Sequence, residues 1–273
     1  MTAELARRWV RFTALGVGLI FIIFPLYWMI LTAFTPRAFL FRPPYKLFRL
    51  DLSLENIREL LSATQFLTFM GNSLIVAAGA VVLNVVAATL AGYALSRFRF
   101  PLKQTFVAGT LWTYMFPPIL LAIPLYLLLS GLGLRNSYIG LILAHVSISL
   151  PLNIWIMWQY FQIVPLSLEE AAWTSGASRL RALVEVALPS AFPGILSAAI
   201  FAFALSWNDF AFAFILQTDI RMFTLPVGLS TFVEQSAIHW GLIMASSALV
   251  SIPTFGFVFF LQRYLMSGLS IGK

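Results

Sequence analysis

Glu170-Ala171-Ala172, then Gly176, then after nine further residues Val186-x-Leu188-Pro189, is the most patterned polar segment of the chain. Ser167 followed three residues later by Glu170 has the spacing of a capping box, which predicts a helix start. Gly176 fits the left-handed position that ends a helix. A second short helix is expected over Ala177–Leu188, with Leu180, Leu183, Val184 and Ala187 on one side and Pro189 as its stop. On the residues alone Glu170 reads as a helix cap, on a helix–turn–helix with a small-residue surface at its bend. Ala171 and Ala172 let another chain's backbone approach closely, on a helix that a cap keeps ordered. Arg179 and Arg181 either pair with acidic groups of such a partner or serve as topology charges.

A second constellation is Asn208-Asp209. Asp209 is the only formal charge well inside an apolar stretch, and an ionisable group there faces a bundle interior or a wet cavity. About 17 residues of helix at 1.5 Å each place it roughly 25 Å from the start of its segment, in the outer third of a bilayer. Two readings stand side by side: Asn208 and Asp209 line the outer vestibule of a pathway, or they make a helix–helix hydrogen bond. Asn84, His145, Ser147, Ser149, Asn153, Ser246 and Ser247 are further polar groups in apolar stretches, read as packing residues.

Other chemistries find no residues. There is no cysteine, so thiol catalysis and thiolate metal sites are excluded. No phosphate-binding loop occurs, since Gly272-Lys273 lacks the glycine spacing, the hydroxyl residue and the following helix. No metal-ligand cluster and no nucleophile–base pair is legible, so no catalytic or metal residue is assigned. The chain is not expected to be an enzyme by itself.

The elements that must position these groups are membrane spans. Of 273 residues, 60% are hydrophobic and only 10% charged, where soluble domains carry about 25% charge. A water-soluble globule is excluded, and a net charge of +7 then speaks of bilayer orientation rather than nucleic acid. Crossing about 30 Å of hydrocarbon takes about 20 apolar residues. Six stretches qualify, near 12–34, 72–95, 105–129, 137–158, 192–216 and 240–261. The chain reads as one all-α transmembrane domain over 1–273, with 159–189 as an inner loop. Ten Lys and Arg fall on the face of the termini and seven on the other, which favours cytoplasmic termini. Arg42-Pro43-Pro44 should break the first outer segment, and Leu54, Ile57, Leu60 and Leu61 form the apolar face of a short helix along the outer interface. Pro25, Pro117, Pro118, Pro124, Pro151 and Pro253 either kink the spans for packing or, at Met115-Phe116-Pro117-Pro118, shape a pathway that opens and closes.

The spacing from Glu170 to Pro189 resembles the EAA loop of ABC-importer membrane subunits. Many members have Asp before the glycine, where this chain has Ser175. Leu205-Ser206-Trp207-Asn208-Asp209-Phe210 is similar to the Trp-Asn-x-Phe stretch of the carbohydrate-uptake, maltose-transporter branch. Ser267-Gly268-Leu269-Ser270-Ile271-Gly272 resembles that branch's Gly-Leu-Thr-x-Gly ending. The resemblance implies the type I importer permease fold, of the shorter six-span kind, in a bacterial cytoplasmic (inner) membrane. It implies that Glu170, Ala171, Ala172, Gly176, Leu188 and Pro189 form a coupling loop docked on an ATP-binding subunit. It also implies that Thr224-Leu225-Pro226-Val227-Gly228, read from the residues as an exposed and partly apolar loop, touches a solute-binding protein. The implied partners are a second permease subunit, two ATP-binding subunits that hold ATP and Mg, and an extracytoplasmic binding protein. This chain would bind no cofactor and no nucleic acid.

Two other classes compete with this reading, an ion-coupled secondary transporter and a scaffold without transport. An ion-coupled secondary transporter shows internal repeats and midplane carboxylates, and this chain shows neither. A scaffold would not need the full Glu-Ala-Ala to Leu-Pro spacing. The cargo stays open among disaccharides, oligosaccharides, polyols and glycerol phosphates.

Overall fold

A computed structural model of the chain describes residues 2–40, 47–48, 51–234 and 239–268, with side chains for 7–40, 47–48, 51–232 and 239–259. Arg42-Pro43-Pro44 and the ending from Leu269 to Gly272 lie outside the described residues. Thirteen α-helices are formed among the described residues. They are α1 (Thr2–Ala33), α2 (Glu55–Ala63), α3 (Phe66–Arg97), α4 (Lys103–Tyr114), α5 (Pro118–Gly131), α6 (Tyr138–Ile163), α7 (Leu166–Thr174), α8 (Arg179–Ala182), α9 (Leu188–Ser190), α10 (Phe192–Asn208), α11 (Ala211–Leu216), α12 (Leu225–Glu234) and α13 (Trp240–Gly268).

Among the described residues, four helical segments are each long and apolar enough to cross a bilayer: Arg7–Ala33, Phe66–Arg97, Tyr138–Ile163 and Trp240–Phe259. The third expected span is two helices, α4 and α5, meeting at 97°. Pro117 and Pro118 account for the break. Pro117 is extended at φ −57°, ψ 121°, and Pro118 opens α5, where a missing N–H costs nothing. The fifth expected span is interrupted after Asn208, and just before it α10 meets the preceding helical segment Arg179–Ser190 at 74°. Counting each bent pair as one crossing gives up to six.

The chain forms two compact units. One comprises residues 1–67 and 229–252. In it the Asn56 amide, fully buried, donates to the carbonyls of Ala33 (3.0 Å) and Thr35 (2.9 Å), satisfying the open end of α1. Arg37 pairs with Glu59 at 2.7 Å. The short helix expected from the amphipathic pattern is present as α2, but its buried face is Asn56 and Leu60, while Leu54 and Leu61 are exposed. The Asn56 bonds outweigh the apolar periodicity and set the rotation. Most of the apolar side chains of α1 are exposed, as a lipid-facing or partner-facing helix requires.

The second unit comprises 68–228 and 253–273. Among the described residues its core includes two clusters. One gathers Val76, Ala122, Leu141, Ala144, Phe212, Leu216 and Val227. The other gathers Ala88, Met157, Phe161, Val164, Leu183, Ala187, Ala191 and Ala198, joining α3, α6 and α10 to the loop between α6 and α10. Small residues allow the close approach. At Gly92 of α3 an added Cβ would stand 2.6 Å from the Met157 Cβ and 2.8 Å from the Trp158 nitrogen of α6. Asn84, Ser149 and Asn153, fully or nearly fully buried, bind one another. Asn84 donates to Ser149 (2.6 Å), and Asn153 donates to Asn84 (2.5 Å) and to the Ala198 carbonyl (3.2 Å).

Candidate functional site

The loop between α6 and α10 starts with Pro165, whose fixed φ of −62° and ψ of 130° make Leu166 the first helical residue. Ser167 therefore lies inside α7 rather than at its cap, and no side chain caps this helix start. The expected capping box is absent because proline, not serine, sets the entry. Glu170 and Ala171 are exposed along α7, with Ala172 half-buried.

The end of α7 is a complete Schellman motif. Ala177 N–H donates to Ala172 O (3.0 Å) and Gly176 N–H to Trp173 O (3.0 Å), with Gly176 at φ +90°. An added Cβ at Gly176 would meet nothing within 4 Å, so backbone conformation alone calls for glycine here. The Ser175 hydroxyl donates to Ala171 O at 2.9 Å, a bond that a carboxylate at this position could not make.

After the turn, Ser178 caps α8 by accepting from Arg181 N–H (3.2 Å). The expected second helix is present with three differences. It starts at Arg179, it carries a π-helical turn over Leu183–Ala187, and it runs one residue past Pro189 to Ser190. Pro189 has no N–H to give to the turn below it, and the wide turn takes up the mismatch. Leu188 packs on the α3–α6–α10 cluster and Pro189 is exposed. The Arg179 guanidinium lies over the Trp173 ring at 5.3 Å and Arg181 pairs with Glu185 at 2.9 Å. Both arginines thus have partners within the loop.

Sequence reasoning passed over Glu169, the one fully buried residue of α7. Its carboxylate accepts from Arg97 Nε at 2.6 Å and from the Tyr93 hydroxyl at 2.7 Å, both on α3. Arg97 also donates to the carbonyls of Phe161 (2.9 Å) and Val164 (3.0 Å) at the end of α6. The available signal was the pair of acidic residues before Ala171, only one of which can face outward on a packed helix.

At the other constellation, α10 ends at Asn208 and Asp209 turns extended. Its carboxylate accepts from the N–H groups of Phe212 (3.4 Å) and Ala213 (3.0 Å), closing the start of α11. It also meets His145 Nε2 of α6 at 3.1 Å, and the other His145 nitrogen is 2.8 Å from the Ser206 hydroxyl. The Asp209 side chain is 10% exposed and that of His145 1%. Asp209 is thus held in a helix–helix contact, while Asn208 and Phe210 on either side of it are exposed. Asp209→Ala is expected to cost about 1–3 kcal/mol by stranding His145 and two backbone N–H groups. A lowered thermal midpoint of the purified protein, largely restored in Asp209→Asn, checks this. Equal midpoints for all three forms would contradict it.

The stretch from Thr224 to Gly228 is not the exposed loop expected. Thr224, Leu225, Val227 and Gly228 are buried, and Pro226 is half-buried. The Leu225 N–H donates to the Ser73 hydroxyl (2.8 Å), Val227 joins an apolar cluster, and an added Cβ at Gly228 would collide with the Phe69 ring. Asn72 draws the approach down by donating to the carbonyls of Arg221 (2.9 Å) and Phe223 (2.8 Å). What stands out is the turn before it, where Arg221 is 80% exposed. The Arg221 side chain and backbone N–H both donate to Asp219 and hold its carboxyl below the usual carboxylate range.

Residues 84–270 match the family model described as "Binding-protein-dependent transport system inner membrane component". The chain is 33% identical over 266 residues to the diacetylchitobiose uptake system permease protein DasC of Streptomyces coelicolor, covering 97% of this chain and 96% of that one. It is 35% identical over 253 residues to the trehalose/maltose transport system permease protein MalG of Thermococcus litoralis, covering 92% and 90%. Its fold superposes, at TM-score 0.80 and 22% identity, on a chain from the crystal structure of a bacterial ABC transporter that imports the polysaccharide alginate, covering 93% of this chain and 95% of that one. The family model covers more than half of the chain and both permeases align over nearly all of it, so the chain belongs to the binding-protein-dependent transport system inner membrane components, the permease subunits of ABC importers.

Proposed function

We propose that this chain forms half of the translocation pathway of an ATP-driven importer for a sugar or sugar-like solute, a disaccharide or oligosaccharide first of all. Its termini face the cytoplasm. A second permease subunit completes the pathway, an extracytoplasmic binding protein delivers the cargo, and two ATP-binding subunits carry ATP and Mg. The coupling loop of Glu170, Ala171, Ala172, Gly176, Leu188 and Pro189 docks on one of those subunits. Thr224–Gly228, being anchored, holds the Asp219–Arg221 turn where the binding protein meets it.

The observation that carries this reading is the form of α7. It presents Glu170 and Ala171 outward, ends on a glycine at φ +90°, and is packed through the following helices onto the α3–α6–α10 core. A surface that is ordered, exposed and joined to the spans is what an external motor needs. Cargo class rests on the diacetylchitobiose and trehalose/maltose permeases named above and on the alginate importer that shares the fold. A ligand or nucleotide shifts a conformational equilibrium only through contacts that differ between its states, and the α7 surface is where those contacts change.

The test is uptake into proteoliposomes holding the assembled complex with its binding protein. Labelled disaccharides should enter only with ATP. Uptake driven by a proton or sodium gradient without ATP would replace this reading with secondary transport, and uptake of glycerol phosphates alone would replace the cargo class.

A further inference from the structure

We infer that Glu169, Arg97 and Tyr93 form the joint through which α7 moves the spans, with all three acting as positioning residues; this rests on the coupling role proposed above. The connection from α6 to α7 is only Val164 and Pro165. Leu166, Ser167, Leu168, Glu170 and Ala171 are exposed, so little of α7 itself is packed. Left to its connection, the helix would swing when pushed.

Glu169 prevents that. Its buried carboxylate is gripped from both oxygens, by Arg97 Nε on one and the Tyr93 hydroxyl on the other. The same guanidinium takes the carbonyls of Phe161 and Val164, which the end of α6 leaves without helical partners. Arg97 thus binds α7, the end of α6 and, through its own backbone, the end of α3. At Gly92, α3 and α6 approach so closely that an added Cβ would stand 2.6 Å from the Met157 Cβ and 2.8 Å from the Trp158 nitrogen. The Tyr93 ring packs edge-on against Phe161 of α6, with centroids 5.4 Å apart.

A buried ion pair is a poor source of net stability, since apolar residues of similar size often do as well or better. What it supplies is direction. Charge-assisted hydrogen bonds from Arg97 and Tyr93 of α3 to both oxygens of Glu169, with Arg97 also bound to the end of α6, fix the angle of α7, where apolar packing would let it slide. The joint makes α7, the end of α3 and the end of α6 one body.

The test uses the assembled transporter in lipid. Because this chain lacks cysteine, spin labels can be placed on it at Arg99→Cys and Thr174→Cys, both exposed. The unaltered joint should give one label distance that stays the same with and without ATP. Glu169→Gln, Tyr93→Phe and the apolar pair Arg97→Met with Glu169→Leu should broaden that distance. They should also lower cargo imported per ATP hydrolysed by about tenfold, within the usual range of coupling between sites. Tyr93→Phe removes a single hydroxyl and keeps its ring contacts, so it remains readable even if a harsher variant does not assemble. A distance in the unaltered chain that shifts with ATP overturns the joint. So do variants that keep the import-to-ATP ratio, whether at full rate or with both activities reduced in proportion. If the unaltered complex shows no ATP-driven import at all, the coupling role itself fails instead.

Discussion

Gly176→Val is expected to abolish most transport while the protein stays inserted. The φ of +90° at this position is one that a β-branched residue avoids, and a left-handed conformation costs roughly 1–2 kcal/mol for an L-residue. An added Cβ meets no neighbour here, so steric clash plays no part and the fold should survive. The Schellman bonds from Gly176 and Ala177 would be lost, and with them the defined end of α7. Uptake should fall on the order of tenfold or more, the size of an ordinary coupling factor. Gly176→Asn is the control, because asparagine enters the left-handed region readily. It should keep most of the uptake. Equal loss in both variants would show that something other than backbone conformation is at stake.

Gly92→Leu should act at an earlier stage, on folding. Even the Cβ of alanine would stand 2.6 Å from the Met157 Cβ and 2.8 Å from the Trp158 backbone nitrogen. A backbone atom cannot swing aside as a side chain can, so α3 and α6 must separate. Overpacking of this kind costs typically about 1–3 kcal/mol, and a leucine here falls at the upper end. Separation would also pull at the buried Asn84–Ser149–Asn153 bonds between the same two helices. The expected result is loss of folded protein in the membrane fraction, with Gly92→Ala intermediate. Gly109→Leu is the matched control, since a Cβ there has nothing within 4 Å. Normal yield of Gly92→Leu would show that α3 and α6 do not approach as described.

What could be read from the chain without its structure followed distance along the sequence. Apolar stretches long enough to cross a bilayer are a local property, and α1, α3, α6 and α13 appear close to their expected places. The turn at Gly176 is local too, and its residue type was enough to foresee it. Pro117 and Pro118 announced a bend, but its angle of 97° depends on what α4 and α5 pack against. The burial of Glu169 depends on an arginine 72 positions away, and the partner of Asp209 is a histidine 64 positions away. Nothing near either carboxylate in sequence could reveal those partners. Thr224–Gly228 reads from its residues as an exposed, partly apolar loop. It is buried because Asn72 and Ser73 of α3 reach its backbone. In each case a hydrogen bond of long sequence separation overrode a short pattern.

On the function proposed here, the exposed face of α7 is where an ATP-hydrolysing subunit takes hold. Since this chain has no cysteine of its own, Ala171→Cys provides a single chemical handle on that face. Native membranes carrying this variant are treated with a short bifunctional thiol reagent, and the cross-linked product is identified by mass spectrometry. The expected product joins the Ala171→Cys thiol to an ATP-binding subunit, with a yield that changes when ATP is added. A handle that reacts freely with small thiol reagents yet never joins such a subunit, in either nucleotide condition, would contradict it.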